Sequence, residues 1–243
     1  MYLSKLAVSI AAVAVGVSAT LPFTGRPSAA PVRSPVAPRA AGFDHSVENP
    51  YFPLRPGTVS RYRGTEDGER FRERVTITPY TKVILGVRTT VVRDVLRRAD
   101  GRLAEKTLDW YADDDQGNVW YFGEDTATYD RRGHVESREG SWQAGVRGAT
   151  AGMIMPADPG PTDAYRQEYF RSHAEDQAWI VQRGGRTTVP YGRLRHVVRS
   201  FEWSRLEPRV MSAKLYAPGL GIVKEWDLSG GTERFVLVSV RRS

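Results

Sequence analysis

The chain has 243 residues, a formal net charge of +7 and no cysteine. The lack of cysteine excludes disulfides, thiol catalysis, thiolate metal sites and a lipid-modified N-terminal cysteine. A chain of this size can bury a core large enough to fold without disulfides.

The first 30 residues have the pattern of a secretory signal peptide. Lys5 precedes an uncharged apolar run from Leu6 to Leu21, which is typical of a signal h-region. Small residues predict cleavage after Ala19 or after Ala30. The alternative is an uncleaved membrane anchor, but the run is shorter than the roughly 20 residues that span a bilayer. We therefore predict an extracellular or cell-envelope protein.

Residues 31–42 are rich in proline and alanine and predict a disordered tether. Residues 43–243 are expected to form one β domain, and we expect a monomer. Only five of the 35 basic residues are lysine, a bias that a GC-rich genome produces equally well. Because exported proteins rarely meet nucleic acid, we predict no nucleic-acid partner and expect weak attraction to anionic envelope polymers instead.

From Thr58 onward, short runs of β-branched and aromatic residues alternate with turn residues, as in antiparallel strands. The predicted strands are 58–65, 69–78, 83–85, 87–98, 103–112, 118–122, 164–170, 174–183, 187–189, 193–204, 210–217, 222–228 and 232–241. No amphipathic helix of three turns is predicted after the signal. Paired valines at Val91-Val92 and Val197-Val198 predict strands that are covered on both faces. Arg70, Arg72 and Arg74 share one strand face, most simply a solvated one.

The second half of the chain repeats the first. GVRTTVVRD around Gly86 matches GRLRHVVRS around Gly192, and DWYADDDQGNVW from Asp109 matches KLYAPGLGIVK from Lys214. The copies cover about residues 57–126 and 163–228. They predict an all-β fold, an antiparallel meander of two tandem copies that forms a curved sheet, a half-barrel or a sandwich.

Three segments carry a resemblance to a known family. They are NPYFPLRPGT (49–58), DWYADDDQGNVWYFGEDT (109–126) and MPADPGPTDAYRQEY (155–169). There the chain resembles a family of uncharacterised secreted or lipid-anchored bacterial proteins common in actinobacteria. The resemblance implies an all-β domain outside the cytoplasm and no particular activity. The layout also resembles the curved-sheet carriers of lipoproteins and lipids in bacterial envelopes, an analogy of fold that does not determine function.

The linker between the copies, residues 140–161, breaks the rhythm of strands and turns. We predict that Trp142, Met153 and Met155 lie over an open end or edge of the sheet as a lid or binding edge. The alternative is that the linker plugs the end of the sheet as part of the core.

Aromatic and sulfur-containing side chains are the candidate ligand-binding groups. Trp120 and Phe122 share one strand face and Tyr121 takes the other, so one set belongs to the core and the other can line a groove. The candidates are Trp120, Tyr121, Trp142, Met153 and Met155, for a lipid-like or envelope-polymer ligand.

Glu124, Glu168 and Asp176 are the candidate acid and base groups of a hydrolase. Glu124 cannot pair with Asp125, since neighbours on a strand point to opposite faces. Glu168 and Asp176 could pair across a hairpin, and salt bridges with arginines explain them equally well.

Residues 113–118 have the oxygen-rich composition of a calcium loop. The glycine comes one position too early for an EF-hand, so a hairpin turn is predicted. The four histidines lack metal-ligand spacing, and no serine lies in a nucleophile elbow. We predict no metal, no cofactor and no catalytic residue.

The favoured function is a non-enzymatic exported β domain that binds an apolar or amphipathic envelope ligand within the concavity of its sheet. The alternatives are a hydrolase acting on an envelope polymer and a structural or partner-binding surface module.

Overall fold

The structure is a computed structural model and describes residues 38–242. The predicted signal peptide, both cleavage sites and residues 31–37 of the predicted tether lie outside the described residues. Within residues 38–242 no helix has the length and apolar character needed to cross a membrane.

Fifteen strands and one short 3-10 helix, Ala40–Gly42, make up the described elements. The strands are β1 (Val59–Glu66), β2 (Glu69–Ile84), β3 (Val87–Arg98), β4 (Leu103–Asp113), β5 (Val119–Tyr129), β6 (Val135–Ser137), β7 (Trp142–Gln143), β8 (Thr150–Met155), β9 (Ala164–Arg166), β10 (Glu168–Tyr169), β11 (Asp176–Val189), β12 (Gly192–Ser204), β13 (Met211–Ala217), β14 (Gly221–Ser229) and β15 (Arg234–Arg241). Every pairing between them is antiparallel, so the predicted all-β meander is confirmed.

The strands form one sheet that nearly closes on itself. Its order is β10-β8-β5-β4-β3-β2-β1-β15-β14-β13-β12-β11-β9, with β6 and β7 also paired to β5. The two ends of this path, β9 and β10, are separated by the single residue Gln167. The stretch Ala164–Tyr169 thus pairs with β11 on one side and with β8 on the other. Of the predicted forms, the sheet is the barrel-like one.

The two predicted copies occupy the two arms of this sheet. β1 to β5 form one run of hairpins, β11 to β14 form another, and β15 joins them by pairing with β1 and β14. Gly86 lies in the β2–β3 turn, and Gly192 begins β12 directly after the β11–β12 turn. Arg93 pairs with Leu108, whereas Arg199 pairs with Leu215. The register therefore differs between the arms by two residues, and duplication stays a prediction.

Buried valines mark the parts of the sheet that are covered on both faces. Val197 and Val198 are both buried and belong to two different hydrophobic clusters. Since adjacent strand residues point to opposite faces, this part of β12 is covered on both sides. In β3, Val92 is buried and Val91 is half-buried.

Gly42, the last residue of the predicted tether, is bonded to the folded domain. The carbonyl of Gly42 accepts a hydrogen bond from the backbone N–H of Asp115 at 2.9 Å. The Phe43 ring meets Phe122 edge-to-face, with centroids 5.7 Å apart. The last residues of the predicted tether therefore pack on the domain.

Closure of the sheet depends on a close backbone approach at Gly152 in β8. A Cβ atom at this position would collide with the backbone of Gln167 and with the carbonyl of Arg166. We predict that Gly152→Ala lowers the free energy of unfolding by about 2 kcal/mol, because β8 and the stretch Ala164–Tyr169 must move apart. Chemical denaturation measures the change.

Gly160→Ala is the matched control, since its Cβ would meet only Asp163 Oδ2, at 3.7 Å. Equal stability of the two variants would show that the contact between β8 and Ala164–Tyr169 can relax around the added methyl group.

Candidate functional site

One buried asparagine positions the segment that crosses the mouth of the sheet. Asn49 Nδ2 donates to the carbonyls of Gly117 at 2.8 Å and Pro156 at 2.9 Å. Asn49 Oδ1 accepts from the backbone N–H groups of Tyr51 at 2.8 Å and Phe52 at 3.2 Å. The amide thus makes all four hydrogen bonds available to it. The three segments that carry the family resemblance meet at this residue.

The same segment is also tied to the other arm of the sheet. The carbonyl of Pro50 accepts the backbone N–H of Gly219 at 2.7 Å, in the turn between β13 and β14. Residues 49–54, which we call the strap, therefore bridge a hairpin of each arm.

An apolar cavity of about 80 Å³ lies beneath the strap. It is lined by Phe52, Pro53, Leu54, Thr58, Ser60, Tyr62, Val75, Ile77, Val92, Tyr111, Leu220, Gly221 and Ile222. At its rim Phe52, Pro53, Leu220 and Ile222 are only half-buried. The strap and the β13–β14 turn thus form an apolar entrance to the inside of the sheet.

A chain of aromatic rings leads from the cavity into the core. Phe52 meets Tyr111 edge-on at 5.0 Å, and Tyr111 stacks on Tyr121 at 4.6 Å. Trp142 then meets Tyr121 edge-on at 5.4 Å. Of the predicted ligand-binding residues, Tyr121 and Trp142 therefore support the cavity wall from behind. The rings that do line the cavity, Phe52, Tyr62 and Tyr111, were missed, although Phe52 and Tyr111 lie in family-like segments.

The predicted lid is wrong in its geometry. Trp142 lies in β7 and Met153 and Met155 lie in β8, and both strands pair with β5. Met155 and Trp142 are buried, while Met153 is half-buried opposite Trp120. The physical reason is that the linker can alternate apolar residues toward the core while its backbone pairs with β5. Trp142 and Met155 belong to the core, as the alternative interpretation had it, but the linker forms strands of the sheet rather than a plug at its end.

The carboxylate of Asp114 organises the predicted hairpin turn. It accepts the backbone N–H groups of Gln116 at 2.9 Å and Asn118 at 2.8 Å, and also Asn118 Nδ2 at 2.8 Å. Trp120 Nε1 donates to Oδ2 of Asp114 at 2.9 Å, the same oxygen that accepts Asn118 Nδ2. Trp120, a predicted ligand-binding residue, therefore has a structural role in this turn. Within residues 38–242 no group of three His, Asp or Glu side chains could hold a metal ion.

Two of the three predicted acid and base groups lie beside Tyr121. Glu168 Oε2 accepts Trp142 Nε1 at 2.9 Å, and Asp109 accepts the Tyr121 hydroxyl at 2.8 Å. Burial, followed by the charges of Asp109 and Glu124, raises the pKa of Tyr121. Glu124 is 1% exposed and Glu168 is 0% exposed. These carboxyl groups are closed off from solvent and from a polymer.

The side chain of Asp176 lies among Ser204, Lys214 and Glu202, and its pairing with Glu168 stays a prediction. Burial, partly offset by Ser204 and Lys214, raises the net pKa of Asp176 to about 7. The carbonyl of Asp176 accepts the backbone N–H of Gln167 at 2.9 Å, so its main chain also helps to close the sheet. The hydrolase alternative gains no support from these three residues.

The cluster around Lys214 was not predicted. Lys214 Nζ lies 2.9 Å from Glu202 Oε2 and 3.4 Å from Glu225 Oε1. Glu202 Oε1 also accepts the hydroxyls of Ser200 at 2.7 Å and Tyr216 at 2.9 Å. Burial lowers the pKa of Lys214, but the two glutamates outweigh it and the net pKa is raised. The sequence signal that could have predicted this cluster is the lysine next to the apolar residues of KLYA (214–217).

Comparison with known proteins finds only distant structural similarity. No protein-family model and no curated protein matches the sequence. A candidate exported protein with a YmcC-like fold from Bacteroides fragilis is 13% identical, with a TM-score of 0.47 over 79% of this chain and 99% of that one. A candidate lipoprotein from Parabacteroides distasonis is 12% identical, with a TM-score of 0.43 over 80% and 100%. At this level of similarity no activity carries over.

We predict that Asn49→Ala lowers the free energy of unfolding by about 3 kcal/mol, because several buried backbone groups lose their partners. Gln116→Ala removes an exposed amide from the neighbouring turn and is the control. Urea denaturation compares the two variants. Equal, small losses would mean that the strap is held by something other than the Asn49 amide.

We further predict that stability falls as pH rises. Burial raises the pKa of Asp176 to about 7 and that of Glu225 to about 8. The folded chain therefore keeps protons that the unfolded chain releases near pH 4, so stability is greatest below pH 4 for these groups and declines up to about pH 8. The free energy of unfolding should be about 2 kcal/mol or more greater at about pH 5 than at about pH 8.5.

Asp176→Asn should flatten the dependence of stability on pH. The control Asp125→Asn, at an exposed position, should leave it unchanged. Urea denaturation across this pH range tests both expectations, and a profile that rises with pH would contradict them.

Proposed function

We propose that this chain is an exported β domain that binds an apolar or amphipathic envelope ligand in the cavity beneath the strap. The observation that carries the proposal is an apolar cavity inside the nearly closed sheet with a half-buried apolar rim. Ligand sites of β-barrels commonly lie at the mouth of the barrel, where inward side chains meet solvent. The signal pattern of residues 1–30 supports export.

The size of the cavity limits what it can hold. At about 80 Å³ it is smaller than the roughly 300–1,000 Å³ of sites that enclose a whole ligand. It suits the end of an acyl chain or a similar apolar group, with the remainder of the molecule leaving past Phe52 and Leu220. Each buried methylene contributes about 0.8 kcal/mol, so several carbons are needed for useful affinity.

The wall of the cavity offers few polar partners. Tyr62 already donates its hydroxyl to the carbonyl of Ile222 at 2.9 Å. Thr58, Ser60 and Tyr111 supply the other side-chain hydroxyls of the lining. Recognition in the cavity therefore rests on apolar contact, and any polar part of the ligand is expected to stay near the rim.

The experiment fills the cavity from one side. Val75 lines it and is half-buried on β2, so Val75→Phe should place a ring inside without exposing new apolar surface. We predict at least about tenfold weaker binding of the neutral fluorescent probe N-phenyl-1-naphthylamine, with a stability change below about 1.5 kcal/mol. Probe fluorescence and chemical denaturation measure the two quantities.

Val95→Phe is the matched control, because Val95 is a half-buried valine of the neighbouring strand that does not line the cavity. Equal loss of probe binding in both variants would reject the cavity as the site. Native mass spectrometry of the full chain purified from its own host should show a bound apolar molecule that Val75→Phe lacks. If the wild-type chain binds neither, the structural or partner-binding module is the better interpretation.

A further inference from the structure

The nearly closed sheet separates charges of opposite sign. Twelve of the 28 acidic residues are buried, whereas among the basic residues of 38–242 only Arg98 and Lys214 are buried. The outer surface is therefore far more basic than the net charge of the chain indicates.

The strongest concentration of this charge is a groove of about 540 Å³ on the outer face of β1, β2 and β3. Six arginines line it, and we call it the arginine groove: Arg61, Arg63, Arg72, Arg74, Arg93 and Arg97. Five of them are exposed and Arg61 is half-buried.

The strand register places like charges directly beside one another. Arg63 pairs with Arg72, and Arg72 pairs with Arg97, so one row crosses three strands. Arg61 pairs with Arg74 in the next row. Like charges directly opposite each other on a sheet are destabilising. Arginine cannot relieve this repulsion by losing its proton.

Acidic side chains do not offset the repulsion. Within residues 38–242 no ion pair joins any of the six guanidinium groups to a carboxylate. Glu73 also contributes to the lining of the groove, but its side chain is buried, because it alternates with Arg72 and Arg74 along β2. Among residues 38–242, therefore, the six guanidinium groups have no carboxylate partner and present their positive charge to an external anion.

The spacing of the charges requires an anion with several charged groups. Neighbouring strands lie about 4.8 Å apart, and alternate residues along a strand about 7 Å apart. A single small anion can reach only part of such a row. Guanidinium groups bind carboxylate and phosphate oxygens with two parallel hydrogen bonds. A chain of repeated oxyanions, with repeats comparable to the length of a sugar unit, matches this spacing.

The other lining residues distinguish between polyanions. Proteins that bind single-stranded nucleic acid stack bases on aromatic rings. The ring in this lining, Tyr62, is buried and faces the inner cavity, while Val95 and Val238 supply apolar contact between the arginines. We propose that the arginine groove binds a linear acidic polysaccharide. This site lies on the opposite face of β1 to β3 from the cavity and is independent of it.

Isothermal titration of the full chain with polygalacturonate at about 50 mM NaCl tests the proposal. The triple variant Arg63→Gln, Arg72→Gln, Arg97→Gln removes the three-strand row. The control Arg186→Gln, Arg193→Gln, Arg195→Gln makes the same change of charge with exposed arginines of β11 and β12. We expect at least about tenfold weaker binding for the first and less than about threefold for the second.

Two further measurements make each outcome decisive. The triple variant Arg63→Lys, Arg72→Lys, Arg97→Lys keeps the charge but loses the paired hydrogen bonds, so binding should be intermediate. The melting temperature of the glutamine variant should stay level or rise, because repulsion is removed. Equal losses in groove and control variants would overturn the proposal. So would tighter, row-dependent binding of a single-stranded DNA oligonucleotide or of phosphatidylglycerol vesicles.

Discussion

The stretch Ala164–Tyr169 hydrogen-bonds to β11 with one half and to β8 with the other, separated by the fully buried Gln167. Without these contacts β8 and β11 would each present an edge of unpaired backbone groups, which invites association with other chains. Because the contacts are made, the sheet has an inside and an outside. Along each strand, alternate residues then point to the inside and to the outside of the sheet. The cavity, the buried carboxylates and the outer arginines follow from this division.

The strap connects this closed sheet to its entrance. Asn49 holds the strap to the β4–β5 turn and to Pro156, and Pro50 holds it to the β13–β14 turn. Phe52 places its ring on Tyr111, at the start of the aromatic chain that ends at Trp142. A ligand that displaced Phe52 would therefore press on rings packed throughout one arm of the sheet. Entry is expected to require movement of the strap rather than of the strands.

The inside of the sheet holds many ionisable side chains, which is unusual for a stable fold. Lys214 is a buried cation held by two glutamates, and removing one partner of such a set is far more costly than replacing the whole set. Burial raises the pKa of the nearby Asp176 to about 7, so this carboxyl group can stay neutral at modest pH. The same closure that hides acids leaves arginines outside without acidic neighbours, so the charged interior and the arginine groove have one origin.

The sequence by itself determined the class of structure. Alternating residues and turn chemistry predicted antiparallel strands near their observed positions, the hairpin turn at residues 113–118 and the double coverage at Val197-Val198. These features depend on local period and turn geometry, which neighbouring residues specify. The family-like segment 49–58 also pointed to an important stretch, without indicating that its asparagine clamps two distant turns.

Only the tertiary structure decided which face is inside, because alternation distinguishes two faces but does not label them. It placed Trp142 and Met155 in the sheet rather than in a lid, and it brought Lys214 together with Glu202 and Glu225. It also set the registers that align Arg63, Arg72 and Arg97 across three strands. Each of these facts rests on contacts between residues distant in the chain, and a single sequence carries no local signal for such contacts.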